Sequence, residues 1–220
     1  IVQPLNNLAL THERQNRHDD AITALRRSLA ILQQINPDDP NVGIIRQNIG
    51  GMLNLAGRPE EARVELAAAL ELLERTVGPE HPAIAGTMTF TGDVARALGD
   101  LPGARAAYLR GLEVRKQALG PDHPDLALSL LGLAEVDLAE HDFAAALGQV
   151  DRALAIVAGT AFDPGDLGLL HFARAKALRA LGSAEQAGAA AEAARVALTT
   201  AGPAGQKPLA ELSRWQAERP

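Results

Sequence analysis

Cysteine is absent from the 220 residues, which excludes disulfides, thiolate metal sites, a cysteine nucleophile and iron–sulfur ligation. Aromatics are scarce: Phe90, Phe143, Phe162, Phe172, Tyr108 and Trp215 make up 3% of the chain. Lysine is also rare, with 3 Lys against 18 Arg, and the formal net charge is −6. An acidic chain without a basic block is a poor partner for nucleic acid or an anionic membrane surface. No apolar run approaches the ~18 residues of a spanning helix, and nothing resembles a secretory signal. The expectation is a protein of the cytoplasm that binds neither nucleic acid nor membrane. Ile1 begins in a pattern already under way, so the sequence reads as a piece of something longer.

What is abundant is alanine and leucine, within an apolar content of 47%. Both favour helices, and small side chains let helix backbones approach closely. A sandwich or barrel would instead want β-branched and aromatic residues. The prolines then set a period. Pro40, Pro82 and Pro124 close the similar segments Asn36–Pro40, Gly78–Pro82 and Gly120–Pro124, 42 residues apart. A second marker alternates with the first, at Asn16–Ala21, Gly57–Ala62, Gly99–Ala104, His141–Ala146 and Gly182–Ala187. Each unit therefore reads as helix A, a short turn, helix B and a proline-containing connection.

Three columns of small residues hold the register. They are Ala9, Gly50, Gly92, Ala134, Ala175; twelve residues on, Ala21, Ala62, Ala104, Ala146, Ala187; and seven beyond, Ser28, Ala69, Gly111, Ala153, Ala194. No member exceeds serine, so a small residue on A faces one on B and the antiparallel pair packs tightly. In the fourth B helix Phe143, Leu147, Val150, Leu154 and Val157 form one apolar stripe. Gly78 and Gly120 suit helix C-termini. Asp39, His81 and His123 stand at N-cap positions, each with proline next in line. Asp163-Pro164 does the same for the fifth repeat through a shorter connection. After Gly202-Pro203, Leu209, Leu212 and Trp215 mark a last helix, with Trp215 as its expected anchor.

These features are similar to the tetratricopeptide repeat, whose usual period is 34. The eight extra residues are about two helical turns. Together with Leu119–Pro124 and Leu5–Ala9, they resemble the long, kinesin-light-chain-like type. The last third also resembles regions that follow bacterial serine/threonine protein kinase domains, although no kinase motif is present. The resemblance implies an all-α fold: a right-handed α-solenoid of five helix-turn-helix repeats over residues 1–204 plus a C-terminal capping helix over 205–220. The repeat bounds are about 1–40, 41–82, 83–124, 125–164 and 165–204.

Candidate chemistry is thin. Six histidines show neither His-x3-His nor His-Glu-x2-His spacing, so no zinc site is expected. His81 and His123 read as helix-start residues. Carboxylates such as Asp19, Asp20, Glu60 and Glu61 fall in first turns, where the helix dipole accounts for them. Arg105, Arg110, Arg115 and Lys116 read as a solvated face of the third B helix. No catalytic residue, metal or cofactor is expected, and function falls to a surface.

By the resemblance, A helices line a concave groove that holds a peptide or protein. The residues expected to face it are Asn6, Asn7, Leu10, Gln47, Asn48, Gly51, Asn54, Thr89, Phe90, Asp93, Arg96, Leu131, Glu135 and Lys176. An amide carries both donors and acceptor, so it can pair with the main chain of an extended peptide whatever its sequence. The resemblance carries that role to Asn7 and Asn48. Beside Phe90, the carboxylates of Asp93 and Glu135 suit a peptide with an apolar anchor and a basic residue. The expected role is a binding scaffold in a larger bacterial protein. An oligomerisation module, giving a homo-oligomer, and a sensor that changes solenoid curvature are the alternatives.

Overall fold

The computed structural model describes residues 2–218, with Ile1, from which the first repeat was counted, outside them. Among the described residues every regular element is helical. The chain divides into two compact units, Ile1–Gly120 and Pro121–Pro220.

The first unit holds α1 (Val2–Arg14), α2 (His18–Ile35), α3 (Pro40–Leu55), α4 (Pro59–Val77), α5 (Pro82–Ala97) and α6 (Leu101–Leu119). They pair as α1/α2, α3/α4 and α5/α6, with α2 against α3, α4 against α5 and α3 against α5. Local chemistry sets the ends. Asp39 accepts from the Asn41 amide at 2.8 Å, His81 Nδ1 from Ala83 at 3.2 Å and Asp100 from Gly103 at 2.9 Å. Each satisfies an amide that the helix leaves without an internal partner. Between A and B the chain turns through a left-handed residue, Gly57 (φ 75°) and Gly99 (φ 81°), a conformation glycine adopts at no steric cost.

Small residues sit where close approach needs them. A Cβ on Gly50 would lie 2.6 Å from Leu66 Cγ, and one on Gly92 2.5 Å from Tyr108 Cε1. Both neighbours are buried, so the large side chain of B fills the space that A leaves empty. Ile45, Ile49, Leu53, Leu73 and Ile84 complete the core, all fully buried.

The second unit holds α7 (Leu126–Ala139), α8 (Phe143–Val157), α9 (Pro164–Ala180), α10 (Ala184–Thr200), a 3-10 turn (Gly202–Gly205) and α11 (Gln206–Ala217). Here α7 packs on α8, α8 on α9, α9 on α10 and α11 on α10. His123 Nδ1 accepts from Asp125 at 3.2 Å, the same bond His81 makes, yet α7 begins only at Leu126. Pro124 therefore lies in the preceding turn rather than at the first helical position. Asp163 caps α9, accepting from Gly165 (2.8 Å) and Asp166 (3.2 Å). In α11 Leu212 is the buried anchor, 1% exposed. Trp215 is half-buried, edge-on to Phe172 (5.7 Å between centroids), with the Arg179 guanidinium 3.7 Å above its ring.

All fifteen members of the three small-residue columns are buried. A fourth column accompanies them: Gly43, Ala85, Ala127 and Gly168, also buried. A Cβ on Gly43 would stand 2.6 Å from Leu73 Cγ, and one on Gly168 2.5 Å from Leu198 Cγ. This column holds the start of A against the end of B, as the first holds their middles.

Arg115 departs from the expected solvated face. It is 7% exposed, occupies a register that Leu73, Val157 and Leu198 fill in other repeats, and donates from Nη1 to Thr89 Oγ1 at 2.8 Å. Gly111 one turn before it serves a close approach to α5, since a Cβ there would lie 3.2 Å from both the Ala85 carbonyl oxygen and Met88 Cβ. Its neighbour Arg110 pairs with Glu74, and Lys116 is exposed.

Candidate functional site

Within the first unit the A helices α1, α3 and α5 bring Asn6, Leu10, Asn48 and Phe90 around one pocket of about 110 Å³. Asn6 and Leu10 lie a turn apart on α1, and Asn48 and Met52 a turn apart on α3, so each helix offers an amide followed by an apolar side chain. Ala9 and Leu25 lie beneath, and Glu13 completes the lining. Gly51 is buried beneath Phe90: a Cβ there would be 3.0 Å from Phe90 Cε1. Its part is to give the ring room.

One polar group of this pocket is unspent. Asn6 Oδ1 is buried without a hydrogen-bond partner. Asn48 is half-buried on the pocket wall, and Leu10 is 53% exposed at its edge. A buried amide oxygen without a donor loses the hydrogen bond it had in water, a penalty of about 1–3 kcal/mol that an incoming N–H would remove.

Other expected groove residues are engaged within the fold. Gln47 Oε1 accepts from the buried Thr87 hydroxyl at 2.8 Å, tying α3 to α5. Thr89 takes the Arg115 guanidinium and donates to the Ala85 carbonyl at 3.1 Å. Asp93 accepts from the Tyr108 hydroxyl at 2.6 Å. Burial, and then the Asp93 charge, push the Tyr108 hydroxyl far above the usual phenol range, with Arg96 opposing. Asn7 is exposed and Asn54 half-buried, both outside the pocket lining. Leu131 and Glu135 belong to the second unit, where Glu135 accepts from Lys176 Nζ at 2.8 Å. The two carboxylates expected to meet a basic ligand group thus already hold partners.

Met52, Glu13 and Leu25 were not among the expected residues. Helical spacing marks two of them, since Met52 follows Asn48 by four and Glu13 follows Asn6 by seven. Among the described residues no three His, Asp or Glu gather as a metal ion would require, and no helix is long and apolar enough to cross a membrane.

The chain is similar to several solved structures. BtubC (BKLC) from P. vanneervenii is 20% identical over 90% of this chain and 80% of its own, with a TM-score of 0.73. A putative kinesin light chain from Podosopora anserina with nearly identical TPR-like repeats is 19% identical over 91% and 96%, with a TM-score of 0.66. PlcR of Bacillus thuringiensis, solved in complex with the peptide PapR7 and DNA, is 13% identical over 98% and 72%, with a TM-score of 0.68. No curated protein matches the chain. The fold is the all-α helix-hairpin repeat of the kinesin-light-chain-like solenoid type, with five helix pairs and then α11 among the described residues. The tetratricopeptide repeat family model matches residues 1–75, 44–117 and 92–158, and the chain belongs to that family.

Proposed function

We propose that the chain is a scaffold that binds a peptide or protein, and that the pocket on α1, α3 and α5 is where the partner docks. The observation that carries this is a small apolar cavity whose walls hold the buried, unpartnered Asn6 Oδ1 and the half-buried Asn48 amide. An apolar side chain would fill about 110 Å³ of space, while the amides pair with the main chain on either side of it. The engaged state of Asp93 and Glu135 supports an apolar anchor over a basic one as the main determinant. The likeness to PlcR, itself solved with a peptide, agrees with this reading.

The test uses peptides selected from a random phage-displayed library on the intact chain, measured by calorimetry. Asn48→Ala should weaken the selected peptides about tenfold, the equivalent of roughly 1.4 kcal/mol for one lost hydrogen bond in a dry site. Leu10→Asp, at an exposed position, should weaken them at least as much without changing helix content. Unchanged affinity in both variants would refute the assignment.

A further inference from the structure

The second unit contains a larger cleft of about 490 Å³ that the pocket above does not involve. Leu138, His141, Phe143, Lys176, Arg179 and Trp215 line it, with Glu218 at its side. Three of these are rings. His141 meets Phe143 edge-on at 5.7 Å, and the Arg179 guanidinium stacks 3.7 Å from the Trp215 ring.

His141 occupies a position where the fold asks for something else. Of the four equivalent turns three carry glycine, Gly57, Gly99 and Gly182, with φ of 75°, 81° and 79°, and the first carries Asn16 at φ 61°, while His141 has φ 63°. Left-handed backbone is strained for a residue with a side chain, and such strain persists where the side chain has another use. Its imidazole lines the cleft.

The cations retain hydrogen-bonding capacity. Lys176 and Arg179 are about one-quarter exposed, at 26% and 27%. Lys176 spends one of its ammonium donors on Glu135. Arg179 directs Nη1 to the carbonyls of Trp215 (2.6 Å) and Glu218 (3.3 Å). Its Nη2 stands 3.9 Å from the mostly exposed Glu218 carboxylate, beyond hydrogen-bond reach. Each cation has one carboxylate near it, Glu135 on Lys176 and Glu218 beside Arg179, and the Lys176 ammonium also lies 4.9 Å over the Phe172 ring, so the donors that remain are those these partners do not take.

We infer that this cleft binds a ligand that joins one carboxylate to an aromatic or branched apolar body. The carboxylate takes the unspent donors of Lys176 and Arg179, and the body lies among His141, Phe143 and Trp215. A small aromatic acid and the C-terminus of a peptide share this chemistry.

Trp215 is the sole tryptophan, so its emission reports directly on the cleft. The intact chain is titrated with 3-phenylpropionate and with an acetylated Ala-Ala-Phe tripeptide bearing a free C-terminus, each beside its amide. Both acids should change the emission saturably in the millimolar range, and each amide should bind at least tenfold more weakly. A tighter tripeptide identifies a peptide terminus as the ligand, and equal affinities a small acid. His141→Gly installs the residue found in three of the four sister turns, so its thermal midpoint should match or exceed that of the parent while binding falls at least fivefold. Lys176→Gln should lower binding similarly. Acid and amide binding alike, or an His141→Gly variant that binds as the parent does, would overturn the inference.

Discussion

Gly92 and Gly148 look alike in sequence, each a glycine within a helix, yet they should respond to alanine in opposite directions. At Gly148 a Cβ meets nothing within 4 Å, so Gly148→Ala collects only the helix-propensity gain, about 1 kcal/mol. At Gly92 the same methyl would lie 2.5–2.7 Å from three atoms of the Tyr108 ring. That ring is fully buried and tethered through its hydroxyl to Asp93, so it cannot swing aside cheaply. Overpacking costs about 1–3 kcal/mol, and a displaced hydroxyl about 1 more. After subtracting the propensity gain, Gly92→Ala should destabilise by roughly 1–3 kcal/mol. The two variants should then differ by about 2–4 kcal/mol, roughly 5–15 °C in thermal midpoint for a chain of this size. Urea and thermal unfolding followed by far-UV circular dichroism measure the gap. Equal midpoints would refute the reasoning that these small residues exist for close approach.

The capping helix and one histidine supply further tests. Leu212→Asp places a charge at a position 1% exposed, against Leu178, Ala191 and Leu198, and should detach α11. Loss of about one helix of ellipticity with new dye binding is the expected outcome, whereas an unchanged spectrum would show that α11 contributes nothing. His171 lies below its usual pKa because burial, and then Arg174, disfavour the charged ring, and its Nδ1 is buried without a partner. The unfolded chain then binds the proton more readily, so stability should fall as pH drops below about 6.5, until the folded protein takes up its own proton. His171→Leu, the residue at Leu130 in the preceding repeat, should flatten that part of a pH–stability curve measured by urea unfolding. An unaltered slope would assign it to other groups.

The helix pairs were legible because their cause is local and repeated. A column that never exceeds serine in five repeats has few explanations other than a tight crossing, and its members are indeed buried. The Gly43 column, three or four residues after each connecting proline, obeys the same rule and was missed, because the prolines were read for the period and the helix start alone. Arg115 was misread by grouping it with neighbouring charges. Compared down its own register with Leu73, Val157 and Leu198, it stands out as the one polar residue in an apolar series, held by its bond to Thr89 on α5. The candidate site was half legible. Residue type marked Asn6, Leu10, Asn48 and Phe90, which do meet around one pocket. Which polar side chains are already engaged depends on partners 15 to 41 residues away, as in Asp93 with Tyr108, Gln47 with Thr87 and Glu135 with Lys176. Local pattern carries no sign of those bonds.

The bond between Lys176 and Glu135 spans 41 residues, and the other interhelix hydrogen bonds and ion pairs described above reach no farther. On a ribosome adding about 5–20 residues per second, the partner of any such side chain emerges within about 2–8 seconds of the chain's first half of the bond. Within each unit a helix pair can therefore settle onto its predecessor during synthesis, without waiting for distant sequence, and apolar faces spend little time bare.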